Sequence, residues 1–462
     1  MKSKFNLITL LISTGLFAGL PAGNAADPGY WSWAQTPPMG WNSWDGFATT
    51  VTEAQTRAQA GVMQAKLAGH GWKLITVDIQ WYEPNATGFD YHKGARLEMD
   101  AWGRLLPATN KFPSAVNGAG FKPLAKVIHG EGLKFGLHLM RGIPRQAVAA
   151  KTPVLGTPFT AADIANTHDT CSWNSDMYGV DMTKPGAQEY YNSVFAQFAA
   201  WGLDFVKVDD LSRPYHQAEI EAIRKAIDRT GRKIVFSTSP GATPVSAGEH
   251  VSTHANMWRI SDDFWDKWSL LFEQFDRLRN WTPYRGPGHF PDADMLPVGV
   301  LQMGKAKAKF TPDEQYTLLT LWSIARSPLI LGADLTKLDD FTFGLITNDE
   351  VIAVDQASIG NRELFRRDGF YGWVADVPRA KDKYLALFNT RNEPANGSAA
   401  VPVSLTELGF DGACHIRDLW QHQDLGVVTN QFAPVINVHG AGLYRVSPMQ
   451  TRGGGQIPGR RG

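Results

Sequence analysis

The chemistry in this chain is concentrated where short apolar runs end in carboxylates. Phe205-Val-Lys-Val-Asp-Asp210 closes on two acids, and Asn256-Met-Trp-Arg-Ile-Ser-Asp-Asp263 repeats the arrangement further on. A parallel strand ending in an acid places that acid at the C-terminal mouth of a barrel, where barrel enzymes carry their reacting groups. Two such tips facing each other have what glycoside hydrolysis needs: one carboxylate to attack, and one acid to protonate the departing oxygen. Asp209 is the candidate nucleophile. Lys207, two positions earlier, points to the same strand face, and an ammonium there keeps a carboxylate ionised. Asp263 is the candidate acid/base. Arg259 precedes it on its strand, and Asp262 and Asp266 crowd it, which favours one member keeping a proton. The plain alternative at both places is helix capping, because acids are also favoured at helix N-termini.

Other polar and aromatic residues fall at similar tips. Asp78 ends the second apolar run, Trp41 and Trp44 lie near the end of the first, and Asp294 sits at the seventh. Converging acids and indoles suit a polyhydroxylated ligand, since carboxylates accept from hydroxyls while indole faces cover the C–H face of a sugar. His129, His138 and His168 invite a metal reading. Their spacing matches no ligand motif, with no H-E-x-x-H and no cysteine cluster, so neither a metal nor a cofactor is expected.

The elements that must hold these residues alternate. Between residues 35 and 335, short apolar runs exchange with amphipathic segments, the rhythm of a parallel sheet with helices between its strands. Strand ends are expected at Met39–Asn42, Leu74–Asp78, Lys134–His138, Phe205–Asp209, Ile234–Thr238, Met257–Ile260, around Asp294-Met295, and at Pro328–Leu331. Eight such units make a (β/α)8 TIM barrel. Thr50-Val-Thr-Glu53 and Thr311-Pro-Asp-Glu314 predict helix starts by capping box, the first helix running towards Gly69. Gly186–Trp201 predicts a helix stopped by Gly202. Beyond residue 355 only short strands separated by turns follow, which predicts a C-terminal antiparallel β-sandwich domain. The expected organisation is a signal peptide at 1–25, the catalytic barrel at 26–350, the antiparallel β-domain at 351–449, and a disordered tail at 450–462.

Composition agrees with a large globular core: 462 residues, 43% hydrophobic and 19% charged. Lys+Arg and Asp+Glu are both 45, so nothing points to a nucleic acid or an anionic membrane as partner. Lys2, Lys4, the apolar run Phe5–Leu20 and small residues up to Ala25 form a cleavable secretory leader, too short for a membrane anchor. The expected location is secreted or periplasmic. Cys171 and Cys414 are the only cysteines, and a bridge between them cannot be assumed.

Several motifs carry a resemblance. Pro38-Met-Gly-Trp-Asn-Ser-Trp44, Lys207-Val-Asp209, Trp258-Arg-Ile-Ser-Asp-Asp263, Asp294-Met-Leu296 and Ser327-Pro-Leu-Ile-Leu-Gly-Ala-Asp334 resemble family 27 glycoside hydrolases, the α-galactosidase family. The likeness runs from residue 35 to 448, with the motifs in the family's order. It implies a barrel followed by a β-domain, and a retaining double displacement with Asp209 as nucleophile and Asp263 as acid/base. It also implies sugar contacts from Trp44, Asp78, Lys207, Arg259 and Asp294. The family's second strand usually ends in tandem acids that hold the sugar's O4 and O6 hydroxyls, but here Ile79 follows Asp78. His138 stands where the family has a tyrosine, and Ser239-Pro-Gly-Ala242 replaces a bulkier segment; both are expected to face substrate. Leu211 replaces a usual half-cystine.

The expected activity is an exported exo-acting α-galactosidase working on oligosaccharides or polysaccharide side chains. Alternatives are the same mechanism on an α-N-acetylgalactosaminide, an isomaltose-type glucan or a β-L-arabinopyranoside. A metal-dependent hydrolase using the same carboxylates, and a sugar-binding protein without turnover, are the other classes.

Overall fold

Strands of the inner sheet are β1 (Met39–Asn42), β2 (Leu74–Val77), β3 (Lys134–Met140), β4 (Phe205–Asp209), β5 (Val235–Thr238), β6 (Met257–Arg259), β7 (Phe290–Asp292) and β8 (Leu329–Leu331). The computed structural model describes residues 27–392 and 397–449, so the expected signal peptide at 1–25 and the expected disordered tail at 450–462 lie outside the described residues. The eight strands lie in the order β7-β6-β5-β4-β3-β2-β1-β8, and every pairing is parallel. The segment after β7 completes the ring: the Leu296 N–H donates to the Ile330 carbonyl at 2.7 Å and the Gly332 N–H to that of Leu296 at 3.2 Å. β1, β2 and β5 to β8 are buried at every position, as strands covered on both faces must be.

One strand lies earlier than the sequence suggests. β7 ends at Asp292, and Asp294 sits just beyond it with φ +86°. Pro291 hides the strand, because proline has no N–H for a ladder and is tolerated only where one side is free. Among the described residues, β7 has a ladder partner only in β6.

The connecting helices include α1 (Glu53–Val62), α2 (Lys122–Gly130), α3 (Ala187–Trp201), α4 (Gln217–Arg229), α5 (Gly248–Ser252), α6 (Trp268–Trp281) and α7 (Pro312–Ala325). α7 opens on Thr311 and Glu314 as expected. α1 instead uses Thr52 with Gln55, two residues later than the predicted box. Glu53 is diverted to the Ser114 N–H and to Arg57, which removes it from capping. The path from α1 ends at Gly71, φ +96°, rather than at Gly69. α3 stops at Gly202, where φ +92° suits a residue without Cβ.

The C-terminal sheet contains β9 (Ile359–Arg367), β10 (Phe370–Asp376), β11 (Lys383–Asn389), β12 (Cys414–Asp418), β13 (Gln423–Val428) and β14 (Ala441–Pro448). It is antiparallel in the order β9-β10-β11-β14-β12-β13. Alternation along β11 divides its faces. Leu385 and Leu387 join Val401, Val403, Phe432 and Ile436 in the sandwich core, while Ala386 and Phe388 join the barrel core. Phe388 meets Phe275 of α6 edge-on at 4.9 Å between ring centres. His439 stacks on Trp268 of the same helix at 3.7 Å. Trp420 Nε1 donates to Thr320 Oγ1 of α7 at 2.9 Å. Cys171 and Cys414 are both buried and free. No helix of the described residues is long and apolar enough to cross a membrane.

Candidate active site

β4 supplies the centre of the site. Lys207 and Asp209 share its inward face, and Lys207 Nζ stands 3.0 Å from Asp78 Oδ2 and 3.4 Å from Asp209 Oδ1. On neighbouring β3, His138 is in register with Lys207 and places Nε2 3.0 Å from Asp209 Oδ2. Burial works to raise the Asp209 carboxyl, but Lys207, His138 and Arg259 outweigh it and hold the group well below the usual carboxylate range. Burial would likewise discharge Lys207, and Asp209 with Asp78 more than offsets it, so the ammonium is held above its ordinary value.

Asp78 is fixed from three sides. Its Oδ2 accepts from Asn42 Nδ2 at 2.6 Å, its own N–H donates to Ser43 Oγ at 2.9 Å, and its Oδ1 accepts the Ile79 N–H at 2.8 Å. Arg259 of β6 bridges the other half of the site: its Nη2 lies 2.7 Å from Asp294 Oδ2 and 3.1 Å from Asp263 Oδ1. Asp294 also accepts the Phe264 N–H at 2.7 Å and the Met295 N–H at 2.8 Å, so it anchors the loop that carries Asp263. Burial pushes the Asp294 carboxyl up, against the pull of Arg259, with Asp263 and Asp292 adding to the rise.

The capping alternative is not realised. α4 begins only at Gln217 and α6 only at Trp268, and neither start has a side-chain cap. Asp262 and Asp266 do not crowd Asp263 as expected, because each has a partner of its own; the acids that interact with Asp263 are Asp294 and Asp45. Asp262 pairs with Arg213 at 2.6 Å and Asp266 accepts the Lys309 N–H at 2.7 Å.

Asp209 and Asp263 line one cavity of about 640 Å³, together with Trp44, Asp78, Lys207, Arg259 and Asp294. Asp209 is buried at its base, whereas the Asp263 side chain is 57% exposed at its rim. His138 and Ser239 stand behind the lining rather than in it. His138 backs Asp209, and Ser239 Oγ accepts from Arg259 Nη1 at 3.4 Å. Trp41 is a core residue, its Nε1 donating to the Ala333 carbonyl at 2.7 Å. His129 pairs with Asp204 at 2.7 Å outside the cavity, and exposed His168 is likewise not part of the lining.

A β-L-arabinopyranosidase from Geobacillus stearothermophilus matches the chain at 46% identity, covering 93% of this chain and 100% of that one, with a TM-score of 0.90. That structure is described as a member of family 27 of the glycoside hydrolases. The chain belongs to glycoside hydrolase family 27. Models described as "Alpha galactosidase A" and "Alpha galactosidase C-terminal beta sandwich domain" match residues 178–357 and 372–446. The α-galactosidase of Coffea arabica is 29% identical over 89% of this chain and 94% of its own length. Alpha-galactosidase A of Cellvibrio japonicus is 26% identical over 95% and 99%.

Within this family 27 fold, residues without a strand-tip signature complete the site. Asp45, just past β1, lines the cavity, and its Oδ2 is buried without a hydrogen-bond partner. Burial, then Asp294 and Asp263, raise its carboxyl well above the ordinary range against the pull of Lys207. A Cβ at Gly332 would fall 2.0 Å from that oxygen, so this contact requires glycine. Phe89, Tyr91, Trp173 and Trp265 reach the cavity from loops. Arg141 sets the end of β4 from behind. Its N–H donates to the Asp209 carbonyl at 2.9 Å, while its guanidinium meets Asp210 at 2.8 Å, Asp169 at 2.9 Å and Glu219 at 2.7 Å. This grip accompanies the left-handed turn of Asp210, φ +66°.

Among the described residues, three groups of side chains bring metal-type donors together. In Asp78, His138 and Asp209 the Lys207 ammonium already takes the cation's place. In Asp169, His216 and Glu219 the Arg141 guanidinium does so. Glu221, His250 and His254 lie outside the cavity lining.

Proposed function

We propose that this glycoside hydrolase is a retaining, exo-acting enzyme for galacto-configured pyranosides that prefers β-L-arabinopyranosides to α-D-galactosides. Asp209, ionised between Lys207 and His138, attacks the anomeric carbon and forms a glycosyl ester. Asp263 protonates the departing oxygen, and then takes a proton from the water that attacks the ester. Exposure of Asp263 at the rim suits a group that exchanges its proton with solvent in each cycle. Asp78, Lys207, Arg259 and Asp294 supply charged partners for ring hydroxyls, and Trp44 supplies an apolar face.

The observation that carries the preference is Ile79, buried in the cavity wall beside Asp78. β-L-Arabinopyranose has the C1 to C4 arrangement of α-D-galactopyranose but no exocyclic hydroxymethyl group. A second acid after Asp78 would accept from that hydroxyl. An isoleucine cannot, and a hydroxyl enclosed without a partner costs about 1–3 kcal/mol. The apolar side chain is instead complementary to the bare ring methylene of the pentose. The 46% identity to an arabinopyranosidase supports the same reading. Galactoside cleavage as the main activity is the second reading, supported by full-length likeness to curated α-galactosidases.

The test compares kcat/KM on nitrophenyl β-L-arabinopyranoside and nitrophenyl α-D-galactopyranoside. The pentoside is expected to exceed the galactoside by about tenfold or more. A galactoside that is equal or better overturns the preference, and turnover of neither overturns the assignment. Export is part of the proposal, resting on the leader sequence around Lys2, Lys4 and Phe5–Leu20; enzyme retained in the cytoplasmic fraction with its leader uncut refutes it.

A further inference from the structure

The polar groups that would grip the glycone do not account for the whole cavity. Phe89, Tyr91, Trp173 and Trp265 also line it, and together with Trp44 they form a continuous aromatic wall. Tyr91 stacks parallel to Trp44 at 6.0 Å and meets Trp173 at 5.5 Å. Phe89 stands edge-on to Trp44 at 5.3 Å and to Trp265 at 5.9 Å. Each ring therefore braces its neighbour, and the wall is a preformed surface. Trp173 leaves 38% of its surface open to solvent. That open part of the Trp173 indole is an unfilled contact surface on the cavity wall, because aromatic faces gain by being covered.

Position identifies what covers the wall. Trp265 follows Asp263 by two residues, and the Phe264 N–H between them is pinned to Asp294. The wall thus includes the segment carrying the proton donor, which must face the leaving oxygen and whatever is bonded to it. The rim also presents an exposed ion pair, Arg213 with Asp262, both of which line the same cavity. Aromatic faces together with a charged pair match a ring that has an apolar face and a hydroxylated edge.

We propose that Phe89, Tyr91, Trp173 and Trp265 form a leaving-group subsite that stacks a ring directly attached to the cleaved bond. The shared chemistry is a ring with an apolar face, supplied by a second pyranose or by a phenol; Arg213 and Asp262 favour the pyranose. The inference rests on the assignment of Asp263 as proton donor. It adds that substrates with a ring-bearing aglycone are selected over those without one.

The experiment compares wild type, Trp173→Ala and Trp173→Phe on three substrates with one glycone: the glycosyl fluoride, the nitrophenyl glycoside and a disaccharide. Trp173→Ala should lower kcat/KM about tenfold or more on at least one ring-bearing substrate, and leave the fluoride within about twofold. Loss confined to the disaccharide identifies the pyranose as the ligand, and loss confined to the nitrophenyl glycoside identifies the phenol. Trp173→Phe, which keeps a stacking face, should recover most of the rate. Equal loss on all three substrates, or no loss on any, overturns the subsite. Failure of the unaltered enzyme to turn over the fluoride would refute the catalytic assignment as well.

Discussion

Replacing Ile79 with aspartate is the sharpest test of how this cavity selects its sugar. The side chain is 1% exposed, and its N–H is already held by Asp78 at 2.8 Å. A carboxylate there would face the hydroxymethyl group of a galactoside. A hydrogen bond from a hydroxyl to a charged acceptor contributes about 1.5–3 kcal/mol. Losing the apolar contact to a ring methylene costs the pentoside about 1 kcal/mol, the lower end for one methylene in a pocket. The two effects add in the ratio of the substrates, for a shift of about 2.5–4 kcal/mol, or roughly 60- to 900-fold in relative kcat/KM. Stability should fall, because a buried apolar side chain contributes about 1.5–3 kcal/mol and the new charge stands beside Asp78. Lys207 moderates that second cost. The assay is kcat/KM on the two nitrophenyl glycosides, with circular dichroism to confirm folding. A folded variant whose substrate ratio moves less than threefold refutes the reasoning, because Ile79 would then not face the sugar's C5 substituent.

Asp209→Asn should abolish turnover, while Asp263→Asn should lose about 10²–10⁴-fold on natural glycosides and far less on nitrophenyl glycosides, whose leaving groups need little protonation; equal losses on both substrates would contradict the assigned roles. Lys207→Met removes the ammonium that keeps Asp209 ionised. Asp209 is held low in the folded protein, so its share of stability is present above the ordinary aspartate range and disappears only as pH falls through the lower folded value. The variant should move the acidic limb of kcat/KM upward by about one unit or more, measured as a pH profile, and an unmoved limb would exclude Lys207 as the cause. Arg141→Met leaves Asp210 and Glu219 buried without their counter-charge and should cost about 3–5 kcal/mol in denaturant unfolding. A loss below about 1 kcal/mol would show the network to be dispensable.

The parts of this molecule legible in the sequence are those where one local run carries both the structure and the chemistry. β4 is such a run: valines alternate with Lys207 and Asp209, so strand, face and charged pair are visible together. β6 is another, with Arg259 and Asp263 near its tip. β7 was obscured because Pro291 breaks the expected pattern, which moved the predicted strand onto Asp294. The capping box at α1 was displaced for a non-local reason, since Glu53 is claimed by Ser114. Arg141 could not be read at all. Its partners Asp169, Asp210 and Glu219 are distant in the chain, and only the fold brings them around one guanidinium. The aromatic wall was hidden likewise, because loop residues such as Tyr91 and Trp173 follow no periodicity. The edge strand β13 carries little sequence signal, because its residues Gln423–Val428 are largely exposed and show little burial alternation.

The seam between barrel and C-terminal sheet limits how this enzyme can be cut or recombined. Trp268 and Phe275, which meet His439 and Phe388, belong to the helix that continues directly from the Asp263 loop. Deleting the second domain would uncover aromatic surface on that helix and loosen the support beneath Asp263. The two halves therefore support each other, and an insertion between them would disturb the packing of Trp268 and Phe275.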